Sequence, residues 1–456
     1  MSRLLNHFGT FANLYDRLPP TVQNLGLSLA GLYVKAVRYN AGYDRLFREA
    51  VARDAWSAEQ TMAYRDECIG RFVRHAAATV PHYRDQFRTL RLDPRDINGF
   101  DDLCALPVLS KATVLESPER FVSEAVPARL RIASHTSGTT GAALHFVTTM
   151  DAFRRQWAIW WRYRAWHGIR QGTPVAIFRA LPLVPVSQQT PPFWRFNSAS
   201  KELYLSAQHL APQYMTDFID ALNRRRIPWM HGFPSCITAF ADFLVDRRRS
   251  LDYPLRWVTT GSENLTERQA LTIEKAFGVR PINRYGLNEA VANISEQTDG
   301  GLYVDEDFAA VEFVDGRIIG TNLSNPAFPL IRYETGDTAT ADGTADFRGR
   351  RRVATLDGRS DDYVIRCDGA RLGRLDRIFH DSVKVLEAQI YQERVGAVTF
   401  KLVRRPGYTP DDERALISAA RAHFGDDMQI AVDYVERIER APSGKPRLVV
   451  AAPGLR

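Results

Sequence analysis

Thr136-Ser137-Gly138-Thr139-Thr140-Gly141 sets four hydroxyls and two glycines in six consecutive positions. Glycine lets the backbone take up positive φ and approach a ligand closely, while amides and hydroxyls donate hydrogen bonds. Such a run can wrap an anionic group, and it would equally suit a flexible polar loop. Its flanks narrow the choice. Leu130-Arg131-Ile132-Ala133 and Leu144-His145-Phe146-Val147 read as two strands, making the run a tight turn between them. A phosphate cradle in a hairpin points to nucleotide chemistry. It is not the P-loop, which needs G-x-x-x-x-G-K-[ST] opening a helix. Here Ala142-Ala143 follow Gly141, and the one Gly-Lys pair, Gly444-Lys445, is followed by Pro446. G-x-G-x-x-G is absent as well, so kinase-like and dinucleotide-binding Rossmann folds lose support.

A chain of 456 residues is long enough for two or three domains and a large core. Its 45% hydrophobic and 25% charged residues are ordinary for a soluble globular protein. The net charge of +7 is modest. The runs Arg224-Arg225-Arg226, Arg247-Arg248-Arg249 and Arg350-Arg351-Arg352 are scattered, which reads as solvated helix ends and loops and gives nucleic acid little support as a partner. Cys68, Cys104, Cys236 and Cys367 lie far apart without C-x-x-C spacing, against a disulfide framework or structural zinc and in favour of a reducing, cytoplasmic setting. Met1 to Phe8 lacks the sustained apolar core of a signal peptide. The stretch from Leu25 to Val34 is too short for a transmembrane segment and reads as a buried helix rather than one lying on a membrane.

Residues up to about 95 read as helical, with Ile69, Phe72, Val73, Ala76, Ala77 and Val80 forming an amphipathic stripe that Pro81 closes. Ser110 is the expected N-cap of a short helix after Leu106-Pro107-Val108-Leu109. From about 130 to 355, short apolar runs such as 174–178 and 256–260 alternate with helical segments at 211–226, 235–249 and 265–277. The fold class is therefore α/β. Beyond the charged turn Ser360-Asp361-Asp362 a smaller α+β unit is expected, with strands at 397–403 and 429–434 and a helix at 411–424. The expected division is a large multi-sheet N-terminal domain, 1–360, and a small mobile domain, 361–456.

Further segments gain meaning beside the opening loop. In Arg284-Tyr285-Gly286-Leu287-Asn288-Glu289 an aromatic followed by glycine can lie flat on a base, and a glutamate can hold a divalent cation near phosphates. In Arg332-Tyr333-Glu334-Thr335-Gly336-Asp337 the aspartate can accept from ribose hydroxyls, and Asp357-Gly358-Arg359-Ser360-Asp361-Asp362 supplies a basic residue. Ala441-Pro442-Ser443-Gly444-Lys445-Pro446-Arg447 presents one lysine. Each alone reads more readily as a strand end or a surface turn.

Their order resembles the adenylate-forming superfamily of acyl-CoA synthetases, nonribosomal adenylation domains and luciferases. There a Ser/Thr/Gly loop precedes Tyr-Gly-x-x-Glu, Tyr-x-Thr-Gly-Asp, Gly-Arg-x-Asp-Asp and a C-terminal Gly-Lys, and all five occur here in that order over about 134–447. The closer resemblance is to the phenylacetate–CoA ligase branch and its CapK-like members. It rests on His75 to Arg84, Leu106 to Lys111, Gly232-Phe233-Pro234-Ser235, Thr260-Gly261-Ser262-Glu263, Asp362 to Asp376 and Glu387-Ala388-Gln389-Ile390-Tyr391-Gln392. Two positions depart: Ala142-Ala143 stand where many relatives carry a lysine, and Arg366 replaces the usual lysine after the hinge.

The resemblance implies ATP-dependent activation of a carboxylic acid, of an aryl or arylacetic kind, to acyl-AMP, with transfer to the thiol of CoA and with Mg²⁺ present. In that scheme Thr136, Ser137, Gly138, Thr139, Thr140 and Gly141 hold phosphates, and Glu289 binds the metal. Tyr285, Gly286 and the Gly261-Ser262-Glu263 loop flank adenine, while Asp337 and Arg359 hold ribose. Asp361 is the hinge, and Lys445 is the mobile catalytic charge. Transfer to an amine or hydroxyl in polysaccharide or secondary-metabolite pathways is the alternative acceptor chemistry, and a noncatalytic nucleotide-binding protein is the alternative of another class. The stripe Trp157, Trp160, Trp161, Tyr163, Trp166 reads as helix core before it reads as an acid pocket. His135 and His231 beside the proposed sites read as structural.

Overall fold

The structure is a computed structural model and describes the chain outside residues 1–14, 137–143, 180–182, 186, 360–363, 368–370, 373–374, 380–381, 383, 426, 440–446, 453–454 and 456. Four helices come first: α1 (Pro20–Arg38), α2 (Ala41–Ala52), α3 (Ala58–Thr79) and α4 (Pro81–Leu90). Local chemistry sets their starts. The Asn40 side chain caps α2, Ser57 and Gln60 form a reciprocal capping box on α3, and Pro81 opens α4, where its missing N–H has no partner to lose. The expected stripe on α3 is buried, and it packs with Phe328, Leu330, Ile331 and Tyr333. Tyr83 fastens that contact: its hydroxyl donates to the Pro329 carbonyl (3.3 Å) and accepts from the Ile331 amide (2.9 Å). α5 (Lys111–Glu116) starts as expected, Ser110 Oγ accepting from the Thr113 amide.

β1 (Arg131–His135) and β2 (His145–Thr149) pair antiparallel with His135 opposite His145, so the hairpin read from the flanks is present. α6 (Met150–Trp166) follows. The next unit holds β3 (Val175–Arg179), β4 (Trp194–Asn197), β5 (Glu202–Ser206), α7 (Pro212–Arg225), β6 (Trp229–Gly232), α8 (Pro234–Asp246), β7 (Trp257–Thr260) and α9 (Glu267–Phe277). Its sheet order is β4-β5-β3-β6-β7, parallel except at the β4 edge. Phe218, Ile237, Phe240 and Ile273 lie in its core, as expected for strands covered by crossover helices.

A seven-stranded antiparallel sheet comes next, of β8 (Arg284–Gly286), β9 (Asn293–Glu296), β10 (Leu302–Val304), β11 (Ala309–Val314), β12 (Arg317–Asn322), β13 (Tyr333–Ala345) and β14 (Arg351–Arg359). A parallel bridge between Thr259 and Ile282 joins it to β7. The last segment contains β15 (Val364–Ile365), β16 (Arg371–Leu372), β17 (Val385–Arg394), β18 (Ala397–Arg404), α10 (Pro410–Phe424), β19 (Gln429–Tyr434) and β20 (Val449–Ala451). Phe400, Leu416 and Phe424 form its own core. It rests on the parallel-sheet unit, where the Arg268 guanidinium on α9 donates to the carbonyls of Ser382 (2.7 Å) and Val385 (2.9 Å), and Asp242 on α8 pairs with Arg405.

The α/β class holds. Two local expectations are corrected. α1 is not a buried helix: Leu25, Leu29 and Leu32 are exposed, while its polar side chains Gln23, Asn24 and Ser28 turn inward to partners near β4. The third arginine run is solvated only at Arg352, which is exposed and pairs with Asp342 (3.3 Å). Arg350 pairs with Asp346 (2.8 Å) and Arg351 with the fully buried Glu306 (2.6 Å). Glu306 belongs to the run Asp305-Glu306-Asp307, whose carboxylates also bind Arg162 (2.8 and 2.7 Å, to Asp305 and Asp307) and Arg65 (3.1 Å, to Glu306) inside the molecule. The tryptophan stripe is core as expected, with Trp161 and Tyr163 buried and Trp157, Trp160 and Trp166 packed against the same cluster.

Candidate functional site

The carboxyl ends of β6 and β7 lie side by side, the place where open α/β sheets bind ligands. From β6 the chain runs through Gly232-Phe233-Pro234-Ser235 into α8, and from β7 through Gly261-Ser262-Glu263. Two contacts tie these turns together. Ser235 N donates to Glu263 Oε2 (3.1 Å), which sets a carboxylate against the positive end of α8, and the His231 ring bonds Thr259 Oγ1 (2.9 Å). Gly232 is required here, because a Cβ would meet Phe178 on β3 at 2.9 Å. At the hairpin, His135 Nδ1 faces the Thr136 carbonyl at 3.1 Å.

The Tyr-Gly-x-x-Glu turn approaches from β8. Tyr285 donates its hydroxyl to Asp337 Oδ2 (2.7 Å), so the aromatic and the aspartate singled out in sequence meet in space. Burial, then the charge and hydrogen bond of Asp337, hold the phenol far above its ordinary range, so it remains a donor. Asp337 is itself fixed by its amide's bond to Thr335 Oγ1 (3.1 Å) and stands opposite Arg359 in the β13–β14 register. On the other face of β8, Arg284 folds back across Gly286 to Asn293 Oδ1 (2.7 Å) and over the Trp160 ring (4.3 Å). Burial lowers its guanidinium to about 10. A Cβ on Gly286 would meet that guanidinium at 2.6 Å, which gives this glycine a packing role.

Glu289 is buried, and Asn322 Nδ2 donates to its carbonyl (3.2 Å). Asn288 Nδ2 reaches the His135 carbonyl (3.2 Å), joining this turn to the hairpin. There Thr136 closes the strand ends, its amide donating to the Leu144 carbonyl and its Oγ1 accepting from the Leu144 amide, both at 3.0 Å. Leu109 pairs in parallel with Tyr333, placing the Leu-Pro-x-x-x-Lys segment beside the Thr-Gly-Asp turn. Three of the eight described non-glycine residues with positive φ border these motifs: Ser262 (68°), Ala290 (59°) and Arg332 (51°). Backbone held in that region is costly and persists where the surroundings demand it.

The site therefore gathers Thr136, Tyr285, Glu289 and Asp337, with Gly261, Ser262 and Glu263 at the neighbouring strand end. Ser137, Gly138, Thr139, Thr140, Gly141, Asp361 and Lys445 lie outside the described residues, as does the side chain of Arg359. Sequence reading missed Asn288 and Asn322. Asn288 stood in a variable position of its motif, and Asn322 carries no local signal. The CapK-like glutamines prove structural: Gln392 bonds both the amide (2.8 Å) and carbonyl (2.7 Å) of Ile365, and Gln389 Nε2 holds the Arg447 carbonyl (3.1 Å). Arg366, in place of the usual lysine, meets Asp427 at 3.2 Å.

Residues 365–452 match the family model of the CapK C-terminal domain. Protein CapK of Staphylococcus aureus is 21% identical over 452 residues, covering 96% of this chain and 98% of that protein. Phenylacetate-coenzyme A ligase of Thermus thermophilus is 26% identical over 335 residues, 67% of this chain and 72% of that protein. Among solved structures, 2-hydroxyisobutyryl-CoA ligase in the postadenylation state superposes with a TM-score of 0.68 at 17% identity, covering 88% of this chain and 91% of that one, a likeness of fold. The chain is thus similar over nearly its whole length to CapK and over two thirds of it to the phenylacetate-coenzyme A ligases, and its last segment matches the CapK C-terminal domain.

Proposed function

We propose that the protein activates a carboxylic acid with ATP and transfers the acyl group to CoA. The observation that carries this reading is the Tyr285–Asp337 hydrogen bond, which joins two motifs 52 residues apart on β8 and β13 of the antiparallel sheet. A carboxylate resists attack because of its charge. Its oxygen bonds to the α-phosphorus, the α–β bridge breaks and pyrophosphate leaves. The thiolate of CoA then attacks the acyl carbon and AMP leaves. Every reactant is anionic, so positioning and charge screening supply the catalysis. Residues 136–141 would receive the β- and γ-phosphates, Tyr285 and the 261–263 turn the adenine, and Asp337 with Arg359 the ribose. Since Glu263 already binds the Ser235 amide, we assign it the shape of the adenine wall rather than direct contact.

Among the described residues no three His, Cys, Asp or Glu come together to hold a metal. That suits Mg²⁺, which takes one or two protein carboxylates and finds its other oxygens in water and substrate phosphates. We assign the carboxylate to Glu289; the ion, when bound, neutralises phosphate charge. We place the reaction in the cytoplasm, where ATP and CoA are at hand. Asp361 is the proposed hinge between units 1–360 and 361–456, and Lys445 the cation that meets the carboxylate and α-phosphate.

Lys445→Ala is expected to abolish acid-dependent ATP–pyrophosphate exchange while leaving preformed acyl-AMP usable for thioester formation. Unchanged exchange would refute the role of Lys445. A panel of acids read by pyrophosphate release identifies the substrate, and response by non-aromatic acids alone would overturn the aryl assignment. A second acceptor chemistry has one observation in its favour. The CapK relative spans 96% of the chain, whereas the phenylacetate ligase relatives align over 64–68% of it. AMP release that proceeds without CoA and only with an amine or sugar would assign transfer to that acceptor.

A further inference from the structure

We infer that α1 lays the protein on an anionic membrane surface, its outer face entering the headgroup layer. The helix is amphipathic the wrong way round for a folded core. Its inward side is polar: Gln23 is 1% exposed and donates to the Tyr15 carbonyl (2.7 Å) and accepts from Arg195. Asn24 Oδ1 accepts from the Phe196 amide (2.8 Å), and Ser28 Oγ from the Ser198 amide (3.0 Å). Gly31 sits so close to Asn197 that a Cβ would collide with its side chain.

The outward side is apolar. Val22, Leu25, Leu29, Leu32 and Tyr33 recur at helix spacing on one stripe and are 43–60% exposed. They are five of the twelve exposed large apolar side chains among the described residues, so exposure is concentrated here rather than scattered. The inward side, where Gln23, Asn24 and Ser28 find hydrogen-bond partners and Leu27 packs against the tryptophan cluster, holds the helix in place.

Three observations select lipid as the occupant. The only charged residues from Pro20 to Arg38 are basic, Lys35 and Arg38, in the last turn, with Asp16 and Asp44 beyond the ends. Lys35 is exposed, and Arg38 stacks on Trp157 at 3.9 Å. Arg38 thus turns inward, and the helix offers an anionic surface one exposed cation, Lys35, with no acidic side chain between Pro20 and Arg38 to repel it. Second, the stripe exposes on the order of 500 Å² of side chain, short of the roughly 800 Å² per partner of a standard stable dimer. Third, no helix among the described residues is long and apolar enough to cross a membrane, so α1 lies on the surface instead of spanning it.

The test is cosedimentation of the full-length protein with vesicles of phosphatidylcholine alone or with about 30% phosphatidylglycerol. Binding to the anionic vesicles, weakened by salt, is expected. The triple variant Leu25→Gln, Leu29→Gln, Leu32→Gln should bind at least about tenfold less with an unchanged thermal melt, and Lys35→Glu several-fold less. Wild-type protein that stays in the supernatant, or a triple variant that binds as wild type does, overturns the inference. A wild-type dimer in analytical ultracentrifugation that becomes monomeric in the triple variant, neither binding vesicles, assigns the face to a second copy and overturns it too.

Discussion

The phenol of Tyr285 and the carboxylate of Asp337 share a bond of 2.7 Å, with both residues largely withdrawn from water. Removing the hydroxyl leaves a buried acceptor with one donor fewer, a loss of about 1.5–3 kcal/mol for a charged partner. Tyr285→Phe should therefore raise the KM for ATP about tenfold or more with kcat changed less, while the ring still offers its face to a base; equal KM values in both proteins would remove Asp337 from nucleotide binding. Because the phenol's pKa is raised, the bond persists through neutral pH and contributes no pH dependence there. At this scale the sequence was legible where residue type dictates chemistry, as in the Tyr-Gly-x-x-Glu and Thr-Gly-Asp motifs, whose Tyr285 and Asp337 meet. It was illegible where the partner is backbone: nothing near Glu263 announces the Ser235 amide 28 residues earlier.

At the scale of elements, β9 carries a carboxylic acid in an unfavourable place. Glu296 accepts from the Asn283 amide (2.8 Å), and burial, only partly offset by that bond and by Arg280, pushes its pKa up to about 7. An acid raised above its unfolded value binds its proton more tightly when folded. Stability therefore falls as pH rises from about 4.5 to 7, by on the order of 1–3 kcal/mol once the charge is fully formed. Glu296→Gln keeps the bond to the Asn283 amide and removes the charge, so its melting temperature should exceed wild type at pH 8 and equal it at pH 5. Identical differences at the two pH values would count against it. The strands and helices were readable because apolar periodicity and caps are local. The orientation of α1 was not, since periodicity says that a helix has two faces and not which one meets protein; polar partners 172 residues away on β4 decided it. Asp305-Glu306-Asp307 reads locally as a solvated acidic turn for the same reason, its arginines lying on α3, α6 and β14.

At the scale of the molecule, the last segment meets α8 and α9 through Arg268 and Asp242 among the described residues. Arg268 supplies two bonds to carbonyls, and Asp242, lifted in pKa by burial and eased by Arg405, supplies an ion pair. Arg268→Gln should slow pyrophosphate exchange about tenfold, the effect of roughly 1.4 kcal/mol, while thioester formation from preformed acyl-AMP is not slowed. Equal slowing of both half-reactions would show that Arg268 serves stability alone. The change of character after Arg359 is readable in the sequence, but where the last segment's core packs depends on Arg268 and Arg405, which no motif contains. At the other end of the chain, a ribosome completes Tyr83 long before it makes Pro329 and Ile331, the partners 246 and 248 residues later. At roughly 5–20 residues per second that interval lasts about 12–50 s. Through it Phe72, Val73, Tyr83 and Phe87 lack Phe328, Leu330, Ile331 and Tyr333 of their core. The nascent chain is thus a client for holding chaperones during its own synthesis, and a translational pause anywhere between α4 and β13 prolongs that exposure.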